Sequence, residues 1–140
     1  MNDEPRPAHA STLDVLLGRL EQLNDIGASL SKERDINRLL EQILLAAKTI
    51  TRADGGTLYR MLEDGNTLRF EILRTDSLGI AMGGTASEAI NFPDIKLHTE
   101  DGQPNNALVA AYAAIYGVTV NIADAYRDDD HFDFSGTLVF

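Results

Sequence analysis

The sequence predicts an α+β fold, an antiparallel sheet with flanking helices preceded by a lead-in helix. Three observations carry that expectation. Apolar residues recur at a helical period through Ile50, the period drops to two from Thr57, and a short helical segment returns after Asn106. A chain of 140 residues, 44% of them apolar, has enough material for one hydrophobic core.

The first ten residues are polar, contain Pro5 and Pro7, and carry no apolar stretch of the kind a secretory signal needs, so residues 1–10 read as a disordered tail. Residues 11–33 read as the lead-in helix, capped by Ser11 or Thr12 with Asp14 in its first turn. Leu13, Leu16, Leu20, Leu23, Gly27 and Leu30 follow one another in alternating steps of three and four, a narrow apolar seam widened by Leu17 and Ile26. Such a seam fits a homodimer made through Leu13, Leu16, Leu20 and Leu23, or a helix packed on its own domain. Both readings stay open on spacing alone.

The domain proper is expected over residues 35–140. Asp35 is the next N-cap, and Ile36, Leu39, Leu40, Ile43, Leu44, Ala47 and Ile50 form a broad apolar stripe expected to cover the core. Asn37, Arg38, Glu41, Gln42 and Lys48 make up the opposite, solvated face, and Asp54-Gly55-Gly56 ends the helix. Thr57–Leu62 and Thr67–Arg74 then read as a hairpin around Glu63-Asp64-Gly65-Asn66, with Leu68, Phe70 and Ile72 on one face and Arg69 and Glu71 on a wet one. Asp76–Glu88 reads as a loop, Ile95–His98 as a short strand, Ala107–Tyr116 as a helix capped by Asn105 or Asn106 and ended by Gly117, and Val118–Ile122 as a strand. An acidic stretch from Asp124 to Asp133 precedes a last apolar run at Thr137–Phe140.

Several functions are disfavoured by composition. The absence of cysteine removes disulfides, thiolate metal sites, cysteine nucleophiles and thioether-linked chromophores, and suits a reducing cytoplasm. A net charge of −10 with scattered basic residues disfavours nucleic acid and anionic membrane as partners. His9, His98 and His131 lie far apart and none is followed by Asp, while phosphate-loop and nucleophile-elbow patterns are missing. Gly83-Gly84 lacks the strand-to-helix setting of a phosphate cradle. Asp128-Asp129-Asp130-His131 with Asp133, and Glu100-Asp101 after His98, lack the spacing of a calcium loop and read as solvated surface. No catalysis, no metal and no cofactor are expected.

The segment from Asn105 to Phe134 carries a resemblance. Its helix, short strand, and turn Asn121-Ile122-Ala123-Asp124-Ala125-Tyr126 with Phe132 following resemble a GAF domain. The likeness spans about residues 35–140, and is greatest to GAF domains that precede HD-type phosphohydrolase or nucleotide cyclase output domains in bacteria. It implies a GAF/PAS-like sheet whose two C-terminal strands these 140 residues do not supply. It also implies a cytoplasmic signal-transduction sensor that binds a small molecule and signals through dimer helices. The alternative is a ligand-free dimerisation or protein-interaction domain on the same scaffold. Ile122 and Gly136-Thr137 replace the lysine and the acidic pair of the cyclic-nucleotide-binding pattern, so another ligand class is expected. Ile80, Met82, Phe92, Ile95, Tyr112, Tyr116, Asn121 and Phe132 are the ligand-binding candidates, with core packing as the competing role for each, and helix capping for Asn121.

Overall fold

The computed structural model describes residues 8–124. The order is α1 (Ala8–Lys32), α2 (Ile36–Thr51), β1 (Gly55–Met61), β2 (Thr67–Thr75), β3 (Ile80–Gly83), β4 (Ile95–Lys96) and α3 (Val109–Tyr116). The fold is α+β, as the sequence predicts: an open antiparallel sheet flanked by helices. Strand β2 is its centre, with β1 on one edge and both β3 and β4 on the other, β3 along Ile72–Thr75 and β4 along Thr67–Leu68. Residues 1–7, the turn residues Ala125 and Tyr126, the acidic run to Asp133, Phe132 and the Thr137–Phe140 run lie outside the described residues.

Helix α1 begins at Ala8, so Ser11 and Thr12 sit inside it rather than at its cap. Asp35 does cap α2, its Oδ1 accepting the amides of Asn37 at 2.9 Å and Arg38 at 3.1 Å. That helix stops earlier than Asp54-Gly55-Gly56, at Arg52, which takes the left-handed conformation (φ 56°) and donates its amide to the carbonyls of Lys48 and Thr49. Gly55 and Gly56 instead open β1. A Cβ on Gly56 would stand 2.9 Å from Leu44 Cδ1, so the missing side chain lets α2 lie close on the sheet.

A bulge corrects the expected hairpin faces. Leu58 pairs with Ile72 and the next residue, Tyr59, with Phe70, leaving Glu71 as the extra residue on β2. Because neighbours along β1 point to opposite sides, Leu68 and Phe70 share one face and Ile72 falls on the other. Neither face of the hairpin is the fully wet one expected. The Leu68 face is covered by Leu97 and by Ala111, Leu108 and Ile115 around α3. The Ile72 face is covered by α2.

Helix α2 is also rotated from its expected setting, by about the 100° that one residue subtends. Glu41, Leu44 and Lys48 face the sheet, while Ile36, Ile43 and Ile50 face away. Arg74 supplies the reason. It lies on the Ile72 face, 8% exposed, and its guanidinium donates to Leu73 O (2.9 Å), Met82 O (2.7 Å), Gly83 O (3.1 Å) and the carboxylate of Glu41. A buried cation needs a counter-charge, so α2 turns its carboxylate inward. The stem of buried Lys48 lies over Gly56 and its ammonium reaches Asp76 at 2.7 Å.

Three further expectations change. The 76–88 loop contains β3, a short Ile-Ala-Met-Gly strand between glycines. Neither Asn105 nor Asn106 caps α3, whose cap position is Leu108 without a side-chain bond; Asn105 instead ties itself to β4 through Leu97 O (2.7 Å) and Lys96 O (2.9 Å). Val118–Ile122 is not a strand, because it finds no ladder partner among the described residues. Gly117 ends α3 as expected, with φ 61°.

Candidate functional site

The ligand-binding candidates distribute over the Leu68 face of the sheet and the end of α3. Phe92 meets Phe70 edge-on (centroids 5.3 Å apart, 66° between planes), and Phe70 meets Tyr59 at 4.7 Å. Ile95, paired with Leu68, packs on the Leu68–Leu97–Ala111 cluster. Phe92 and Ile95 therefore join one aromatic and aliphatic strip. Ile80 and Met82 pair with Thr75 and Leu73, toward the other end of β2. The rings of Tyr112 and Tyr116 contact each other at 4.6 Å, with Tyr116 largely exposed. Asn121 is exposed, and Phe132 lies outside the described residues.

A shallow cleft of about 390 Å³ lies between Lys96, His98 and Thr99 on one side and Pro104–Ala107 on the other, and none of the eight candidates lines it. Asn66 shapes it: its Oδ1 accepts the His98 amide at 3.0 Å and faces His98 Nδ1 at 2.9 Å, which makes Nδ1 the protonated ring nitrogen. Lys96 donates to Thr67 Oγ1 at 2.6 Å, and Thr67 donates to Asp64 Oδ2 at 2.5 Å. The Thr67 hydroxyl, the Asn66 amide and the Lys96 ammonium hold the Asp64 carboxyl down to about 2. This network ties the β1–β2 turn to β4, and its side chains satisfy one another. Among the described residues no three His, Asp or Glu side chains gather as metal ligands.

Among the described residues, exposed large apolar side chains gather on the helices. Leu13, Leu16, Leu20 and Leu23 are each between 51% and 59% exposed, and Leu17 adjoins them. The groove between α1 and α2, about 520 Å³, is lined on the α1 side by Gln22, Asp25, Ile26, Ser29 and Leu30. The leucine seam thus stands on the side of α1 that α2 does not use. On α2, Ile36, Ile43 and Ile50 are 40% to 62% exposed, on the side that meets neither the sheet nor that groove. Scattered exposed leucines are ordinary, whereas a contiguous apolar file is the pattern that interaction surfaces share.

Sequence periodicity identifies the α1 seam but assigns the α2 stripe to the core. The signal that corrects it is Arg74, which follows Ile72 by two and so must share its inward side. No family model matches the chain, and no curated protein and no solved structure is found to be similar to it. Among the described residues no helix is long and apolar enough to cross a membrane.

Proposed function

We propose that the chain is a non-catalytic regulatory module of signal transduction, GAF-like in type, that acts as a homodimer through α1. The observation that carries this reading is the exposed seam of Leu13, Leu16, Leu20 and Leu23 at coiled-coil spacing. A two-fold axis along α1 would bring the same leucines of two copies together, a self-complementary contact. In this reading the sheet holds the base of α2 rigidly, and a signal reaches an output module as a change in the geometry of the paired helices. Absence of cysteine suits the cytoplasmic address that belongs to it.

The small molecule of this sensor would bind along the strip of Phe92 and Ile95 on the Leu68 face of the sheet. A ligand-free dimerisation module is the second reading. It is favoured by the exposure of Asn121 and Tyr116 and by the mutual satisfaction of Asp64, Thr67 and Lys96. Sedimentation of wild type and of Leu16→Glu/Leu20→Glu tests the dimer: the variant should sediment as a folded monomer, and an unchanged dimer mass would refute it. Native mass spectrometry of protein purified from cells separates the readings, since a sensor retains a bound small molecule and a bare scaffold does not.

A further inference from the structure

We propose that the open edge of β1 docks the β1 of a second copy, the two strands running antiparallel about a two-fold axis at Leu58 so that two sheets join into one. The inference stands on the sheet, apart from the α1 dimer proposed above. Strand β1 has β2 on one side and no strand on the other among the described residues. The amide of Leu62 donates to Thr67 O at 2.9 Å and that of Asp76 to Asp54 O at 3.0 Å, so both ends fix which residues of the strand bond to β2. The extra residue of the bulge belongs to β2, which leaves the alternation along β1 unbroken from Asp54 to Leu62. Gly56, Leu58 and Arg60 therefore turn their backbone groups to β2, and Gly55, Thr57, Tyr59 and Met61 turn theirs to the open edge. Among the described residues no group of the chain bonds those outward amides and carbonyls. They stand in a row whose geometric complement is another extended strand.

Register, charge and room name a second copy as that strand. With the axis at Leu58, Gly55 faces the partner's Met61 and Thr57 faces the partner's Tyr59. Every residue of Gly55–Met61 then finds a mate, and the outward ones exchange bonds in pairs. The chain carries −10, yet none of its 22 acidic residues lies within Gly55–Met61, and the one charged side chain there, Arg60, is held by Glu71 at 2.6 Å. Two acidic chains repel elsewhere, whereas here Arg60 stands across from the partner's Gly56 and no charge opposes its like. Helix α2 lies over Gly56, where an added Cβ would touch Leu44 and Lys48. Antiparallel pairing sets the partner's Gly56 four residues along, about 13 Å away, wider than the roughly 10–12 Å of a helix, so the two α2 helices clear each other. The strand also lacks the usual guards of a free edge, with no proline, no lysine and no bulge of its own.

One short strand a side makes a contact well under the roughly 800 Å² of a standard complex, so the pairing belongs near millimolar concentration, above the roughly 10 µM at which sedimentation reads the α1 contact. Amide hydrogen exchange followed by NMR, on the wild-type chain and on Leu16→Glu/Leu20→Glu, tests it. Between about 0.01 and 1 mM the amides of Gly55, Thr57, Tyr59 and Met61 are expected to slow by about tenfold or more in both proteins, while those of Leu58 and Arg60 hold steady. Fast exchange throughout means that no strand adds, and slow exchange in a chain that sediments as a monomer means that the chain covers its own edge; either result overturns the inference. Protection that disappears in Leu16→Glu/Leu20→Glu belongs to the α1 contact and overturns it too. A further variant, Thr57→Pro, removes an outward N–H and no bond to β2. With circular dichroism unchanged, it should lose the concentration-dependent protection of Tyr59 and Met61, and protection like that of wild type would refute the pairing.

Discussion

Removing the carboxylate of Glu41 is expected to cost about 2–3 kcal/mol of stability. Arg74, its partner, has a side chain only 9% exposed, and Glu41 is 16% exposed. Breaking a fully buried pair from one side costs about 3–5 kcal/mol, because the surviving charge stays out of water. Two features reduce that here. Arg74 keeps three backbone carbonyls as acceptors, and the Glu41 side is open enough to admit water. One feature adds to it, since Thr85 loses its acceptor, a bond of about 1 kcal/mol. Urea unfolding of Glu41→Ala, followed by far-UV circular dichroism because the chain has no tryptophan, reads the loss. Against a domain stability of about 5–15 kcal/mol the variant stays folded, with its midpoint clearly lowered. Pairing it with Arg74→Met completes a cycle, and a coupling energy of about 1.5 kcal/mol or more is expected. A cost under about 0.5 kcal/mol, or simple additivity in the double variant, would refute the claim that this pair sets the rotation of α2. The pH dependence follows with a definite sign. The Thr85 hydroxyl first, and then Arg74, hold the Glu41 carboxyl below the ordinary glutamate range against the opposing effect of burial. Its contribution is therefore fully present above that range and disappears as the pH falls through the lowered value. The difference between wild type and Glu41→Ala should shrink on acidification.

Three further outcomes are expected. Gly83→Ala should cost more than about 2 kcal/mol in chemical unfolding, because φ is 69° and the new Cβ would meet Glu71 O at 2.1 Å, a backbone atom that cannot yield; a fully stable variant would mean that β3 is not seated against the bulge. Arg52→Gly should raise stability by about 0.5–1 kcal/mol, since a left-handed helix end at φ 56° suits glycine and the arginine has an exposed side chain; a lower unfolding midpoint would contradict that geometry. Raising salt from about 0.02 to 0.3 M should tighten the proposed α1 dimer, because the repulsion of two copies of charge −10 is screened while contact through leucines is not; weaker association at high salt, measured by sedimentation, would point to an ionic interface instead.

How far the sequence could be read depended on whether the deciding interaction was local. Asp35 and the hairpin turn at Gly65 announce themselves within four residues, and both stand where their chemistry requires. The rotation of α2 does not, because it is decided by Arg74, 33 residues from Glu41 along the chain. A helical wheel that sees only α2 places seven apolar residues inward by default, and nothing within the helix says otherwise. The bulge at Glu71 was hidden for a similar reason. Alternation along Leu68, Phe70 and Ile72 is unbroken in the sequence, and only the pairing with Leu58 and Tyr59 shows that one strand has a residue to spare. The predicted ligand residues follow the same rule. Phe92 and Ile95 sit beside β2 and join its aromatic strip, while Asn121 belongs to a segment that pairs with no strand among the described residues. In the leucine seam of α1 the spacing alone left two readings. Among the described residues α2 lies along the other side of that helix and Leu13, Leu16, Leu20 and Leu23 stand open, which the proposed dimer would cover. In the dimer reading, the 25-residue α1 would draw part of its stability from the second copy. Its persistence in dilute solution should therefore depend on protein concentration, as that of the sheet should not.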